Sequence, residues 1–171
     1  MKHLLLITIL IFTTTMNAQE LFDAARNGNV DKLKEIYTAD NTSIDKTDQK
    51  GFTPLILAAY YNQIDAVAFL LENKCDLNAQ DSSGNTALMG VCFKGNLPIA
   101  KLLIDNGANV NLQNYNDATA LIYASTFGHK DIASYLLDHN AETSIMDNRG
   151  NTALKHAQIQ GNEEIIQLLS K

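Results

Sequence analysis

From residue 48 onward the apolar positions fall into two alternating clusters divided by polar stretches, and the pattern recurs. Thr53, Thr86, Thr119 and Thr152 stand 33 residues apart, as do Leu55, Leu88, Leu121 and Leu154. Leu70, Leu103, Leu136 and Leu169 keep the same step, and so do Asp48, Asp81, Asn114 and Asp147. Agreement of independent columns on one period defines an internal repeat.

Each column has a physical task. The threonines precede a short helical pattern, where a hydroxyl caps free backbone donors. Pro54 takes a first helical position, where its missing N–H costs nothing. Leu55, Ala58 and Ala59 then form one apolar helix face, repeated as Leu88, Val91 and Cys92, as Leu121, Ala124 and Ser125, and as Leu154, Ala157 and Gln158. Small residues there admit a close neighbour. Asn62, Gly95, Gly128 and Gly161 end this first helix in a slot that wants left-handed backbone. A second helix buries Val67, Leu70 and Leu71, matched by Ala100, Leu103 and Ile104 and by Ala133, Leu136 and Leu137. Asp65, Pro98, Asp131 and Glu164 suit its first turn. Lys74, Gly107 and Asn140 close it. A polar stretch then leads to turn residues Gly51, Gly84, Asp117 and Gly150, at the tip of a projecting hairpin. Helices this short need stacked partners, so the pattern predicts an all-α solenoid.

The segment DQKGFTPLILAAYYNQIDAVAFLLENKCDLNAQ at 48–80 resembles an ankyrin repeat, and so do 81–113, 114–146 and 147–171. Residues 19–47, with Leu21, Phe22, Ala24, Ala25, Gly28, Leu33 and Ile36, read as an N-terminal capping unit set 34 residues ahead of the next. The last unit reads as a polar C-terminal cap, with Gln158, Gln160 and Gln167. The resemblance implies a helix-turn-helix plus hairpin in each unit and a non-enzymatic module that binds another protein. It also marks departures. The family's turn-bracing His is Ile56, Met89, Ile122 and Lys155 here, so these turns are expected to be held more by packing. Asp117 replaces a turn Gly, which predicts a looser third tip.

The first 18 residues form a separate object. Lys2 precedes an apolar run from Leu4 to Phe12 that only Thr8 interrupts, and Ala18 offers a small residue for cleavage. That is the layout of a secretory signal peptide, with cutting expected after Ala18. The run is shorter than the roughly 20 residues a membrane span needs. The alternative is a hydrophobic helix that stays and packs. The short leader fits a bacterial periplasmic or secreted protein, and no membrane insertion of the mature chain is expected.

Composition narrows the remaining classes. Of 171 residues, 46% are hydrophobic and 19% charged, a globular balance. The formal charge of -6 disfavours a phosphate backbone, so nucleic acid is not the expected partner. No catalytic motif stands out, and His129, His139 and His156 do not fall at metal-ligand spacing. Neither a cofactor nor a metal is implied. Cys75 and Cys92 read as small buried fillers, with a disulfide as the alternative.

The aromatics carry the functional reading. Eleven lie beyond Phe12. By the family resemblance, Phe52, Tyr60, Tyr61, Phe93, Tyr115 and Phe127 fall in the variable columns, at the hairpin tip and the end of the first helix. Stacked in register they would form a ridge on the concave side, with Ile159 continuing the row. Lys94, Asn116, Arg149 and Gln160 would form a polar rim. The ridge predicts a partner-protein surface on a monomer. Packing of the same rings along the seam between repeats is the bland alternative. Two other functions compete: a self-associating structural protein, and a small enzyme using the groove.

Overall fold

The computed structural model describes residues 19–170. Ten helices follow one another in pairs, with no strand among the described residues. They are α1 (19–27), α2 (Val30–Ala39), α3 (Pro54–Tyr60), α4 (Ile64–Glu72), α5 (Ala87–Lys94), α6 (Leu97–Asp105), α7 (Ala120–Thr126), α8 (Lys130–Asp138), α9 (Ala153–Gln160) and α10 (Glu163–Leu169). A short 3-10 turn, Asn41–Asp45, closes the first pair. The expected leader at 1–18 lies outside the described residues.

The odd-numbered helices from α3 to α9 pack side by side as an inner layer, and the even-numbered helices form an outer layer. The threonine column starts the inner helices as anticipated. Thr53 Oγ1 accepts from Ile56 N at 3.2 Å, and Thr86, Thr119 and Thr152 each do the same at 3.3 Å. The paired small residues make close approach possible: Ala58, Ala59, Val91, Cys92 and Ala124 are sealed between layers. Leu55, Leu88, Leu121, Leu70, Leu103 and Leu136 fill the rest of the core. Burying one such leucine is worth about 1.5–3 kcal/mol. Ser125 occupies a small-residue place, but its hydroxyl is buried without a hydrogen-bond partner.

Beside the packing expected where the family's His is absent, the acidic and amide column supplies a hydrogen-bonded brace at the hairpin tips. Asp81 Oδ1 accepts from the Ser83 and Asn85 amides, both at 2.8 Å. Asp48, Asn114 and Asp147 each take two amides in the same way. Gly84 has φ +79°, and a Cβ there would stand 2.7 Å from Tyr115 N, so only glycine fits. Asp117 adopts left-handed backbone at φ 58°. Its carbonyl accepts from Gln113 Nε2 at 2.9 Å, as the Gly84 carbonyl accepts from Gln80 Nε2.

Successive units are stitched at three places. At the tips, Ser82 N donates to Lys50 O (2.9 Å), Tyr115 N to Ser83 O (3.1 Å) and Asn148 N to Asn116 O (2.9 Å). Across the outer loops, Asp76, Asn109 and Glu142 amides donate to Asp45 Oδ1, Asn78 Oδ1 and Asn111 Oδ1 at 2.8, 2.9 and 2.9 Å. Before each outer helix a side chain reaches back. Gln63 donates to Arg26 O and Asn162 to Ser125 O, Asn96 bonds the Asn62 side chain, and His129 Nε2 lies 3.3 Å from Phe93 O.

Candidate functional site

A groove of about 1000 Å³ runs between the hairpin tips and the inner layer in the N-terminal half. Its walls come from α1, α3 and α5 and from the loops at 47–52 and 81–86. The local sequence explains its shape. Helices α3 and α5 end in aromatics because their last turn lies beyond the buried small-residue face, where large side chains meet solvent.

Four of the anticipated residues, Phe52, Tyr60, Tyr61 and Phe93, line this groove together. Phe52 is half-buried against the core, and the other three are exposed. Tyr60 and Tyr61 meet edge to face at 5.4 Å between ring centroids. Tyr60 and Phe93 stack across the unit boundary at 6.4 Å. Phe127 meets Phe93 edge to face at 4.5 Å and carries the row onto α7. The rings therefore do both things weighed from the sequence: they touch along the seam and still face solvent. Lys94 lies at the edge, its ammonium 5.1 Å from the centre of the Tyr60 ring.

Tyr115 and Arg149 do not join this cluster. Tyr115 sits at the third hairpin tip, 71% exposed, with its ring beside Gly84. Arg149 occupies the fourth tip, exposed, with its amide bonded to Asp147 Oδ1. Ile159 is exposed at the end of α9.

Several lining residues escaped the sequence reading. Arg26, on α1, lies 5.8 Å from the centre of the Tyr61 ring. Tyr123 packs parallel to Phe127 at 6.5 Å. Its hydroxyl donates to Asn85 Oδ1 (3.2 Å) and accepts from Asn114 Nδ2 (3.1 Å). Burial raises the Tyr123 phenol above its ordinary value, the Asn114 bond works against that, and the Asp81 charge adds to it. Asp81 and Gly90 complete the floor. A signal for Gly90 was present, since the column Leu57, Gly90, Tyr123 and His156 holds one residue without a side chain.

Other chemistry is sparse among the described residues. No group of His, Cys, Asp and Glu side chains could hold a metal ion. Cys75 and Cys92 are free and buried, in the loop after α4 and inside α5. Burial pushes the Cys75 thiol up to about 12, with help from Asp45 and Asp76, and complete burial pushes Cys92 higher still. Neither is a ready nucleophile. No helix of the described residues is long and apolar enough to cross a membrane.

Stacked helix pairs with braced tips define a class of repeat proteins. A family model of ankyrin repeats, three copies, matches residues 21–114 and 91–171, and the chain belongs to that family. It is 38% identical over 58 residues to the human DNA-binding protein RFXANK, a stretch that covers 34% of this chain and 22% of that protein. It is 38% identical over 63 residues to human ankyrin repeat domain-containing protein 29, covering 37% of this chain and 21% of that one. It is 39% identical over 59 residues to palmitoyltransferase akr1 of Schizosaccharomyces pombe, covering 34% and 9%. The chain thus spans less than a quarter of the length of each of these relatives. Ankyrin repeats are protein-protein interaction modules.

Proposed function

We propose that this chain is an exported binding module that holds another protein in the groove between its hairpin tips and inner helices. One observation carries the reading: Tyr61, Tyr60, Phe93 and Phe127 form a continuous row of mutually touching, exposed rings across three successive units. Aromatics placed this way are favoured anchors at protein interfaces, since they bring large contact area at little rotamer cost. The charge of -6 favours a protein over a phosphate backbone as partner, whatever the name of the human relative says of that protein. The match to a palmitoyltransferase covers only 9% of that protein, and the groove is lined by rings, amides, two aspartates, Arg26 and Lys50. Export rests on the leader-like pattern at 2–18.

The test is affinity capture from a cell-envelope extract of the source organism. The full chain and a variant with Tyr61, Phe93 and Phe127 changed to Ser serve as baits. The expected result is a protein held by the parent and lost by the variant. A protein held equally by both would move binding to another face. Capture of nothing but further copies of the chain, with light scattering that grows with concentration, would favour self-association instead.

A further inference from the structure

The groove floor contains a carboxylate in an unusual setting. Asp81 is only 8% exposed. Its Oδ1 is used twice by the tip amides. Its Oδ2 has one long contact among the described residues, 3.4 Å from Asn85 Nδ2. The orientation of that amide is fixed from the other side, because Asn85 Oδ1 accepts from Asn114 Nδ2 (2.7 Å) and from the Tyr123 hydroxyl. Buried charge of this kind ordinarily has a full partner.

The fourth unit shows what the missing partner looks like. There the residue in the Asp81 register is Asp147, and its Oδ2 pairs with His156 Nε2 at 2.8 Å. His156 occupies the column in which the second unit has Gly90. The third unit fills the same place with the Tyr123 ring, bonded to Asn114. Only in the second unit is the place vacant of any side chain, and there it opens into the groove. A Cβ on Gly90 would meet only Tyr60 Cδ2, at 3.6 Å, so steric crowding does not require glycine. Nor does backbone geometry, since Gly90 is not among the glycines of positive φ.

We infer that the space above Gly90 is a recognition pocket for one basic side chain, lysine or arginine, of the partner's docked segment. This rests on the groove being the partner-binding face. The cation would sit where the His156 nitrogen sits in the fourth unit and donate to Asp81 Oδ2. Its apolar stem would pass between Tyr60, Phe93 and Tyr123, all lining residues. The rings suit a cation, and Tyr60 and Tyr61 already have Lys94 and Arg26 against them. Lys50 and Asp81 both line the groove, and no ion pair joins them among the described residues.

Two variants isolate the pocket without damaging the fold. Asp81→Asn keeps both tip bonds, as Asn114 does in the next unit, and removes only the charge. Gly90→Leu copies Leu57 and fills the vacancy in a helix interior, where leucine is favoured over glycine. The full chain is screened against a display library of random peptides, and selected peptides are remade for affinity measurement. The expected peptides share one Lys or Arg among apolar neighbours. Replacing that residue with norleucine, or using either variant, should weaken binding by about tenfold or more. Exchanging Lys and Arg in the peptide tells which cation fits better.

Peptides without a shared basic residue, or no selected peptide at all, would overturn the pocket. So would unchanged affinity in both variants, with circular dichroism and melting confirming that each is folded. If those same peptides are still lost by the Tyr61, Phe93 and Phe127 variant, the groove stands as the binding face and only the cation pocket falls. If that variant holds them too, both readings fall.

Discussion

The second and fourth units share a backbone, a capping threonine and a tip-bracing aspartate, yet differ in what faces that aspartate. In the fourth unit His156 closes on Asp147, its Nε2 2.8 Å from Oδ2, and completes the contact within the fold. In the second, Gly90 leaves Asp81 with a long contact and opens the floor of the groove. One column decides whether a carboxylate serves the fold alone or also meets the surroundings. The two units also differ in burial, since Leu88 is sealed between neighbours while Leu154, on the last inner helix, is half-buried.

The difference can be broken most forcefully in the core. Leu88→Ala should cost about 2–5 kcal/mol in urea unfolding, whereas Leu154→Ala, with less area to lose, should cost roughly half of that. Equal costs would mean that the stack has no weaker end. Ser125→Ala in the third unit removes an unbonded buried hydroxyl and should raise stability by about 1–2 kcal/mol in the same measurement. Gly90→Ala should add about 1 kcal/mol from helix propensity, which would show that glycine there does not serve stability.

Acidity gives a smaller contrast. Burial works to raise the Asp147 carboxyl, but the Asn151 amide, His156 and the Arg149 amide together hold it below the ordinary value. A lowered folded value contributes stability above the unfolded carboxylate range and loses it as pH falls through the folded value. Unfolding midpoints of the parent should therefore drop on acidification more than those of Asp147→Asn. The smallest effect concerns the thiols. With both raised by burial, labelling of the native chain by a thiol reagent should be slow, and Cys75 should react before fully buried Cys92.

The architecture was legible because repeat columns report physical needs that no neighbour can override. A threonine before each inner helix, small residues on its buried face and a left-handed residue at its end recur because every unit meets the same surroundings. Left-handed backbone at Asn62, Lys74, Asp117 and Asn140 confirms that register even where glycine is replaced. The aromatic row was visible for the same reason. The groove floor was not, because it depends on differences between units rather than on their likeness. The recurring columns do not single out Gly90, and Asp81 shares its column with Asp48, Asn114 and Asp147. Tyr115 and Arg149 fell in variable columns too, but the tips hold them away from the ring cluster.

The stitches between units have a consequence for how such a chain can grow. Equivalent joints recur one period apart, with acceptors Lys50, Ser83 and Asn116 and donors Ser82, Tyr115 and Asn148. In stacks of this kind each unit contacts its neighbours. A copied stretch of one period, spliced in at a joint, would meet its complementary donors and acceptors already in position on both sides. Duplication of a gene segment could thus lengthen the molecule, and add a further stretch of groove, without a compensating change elsewhere.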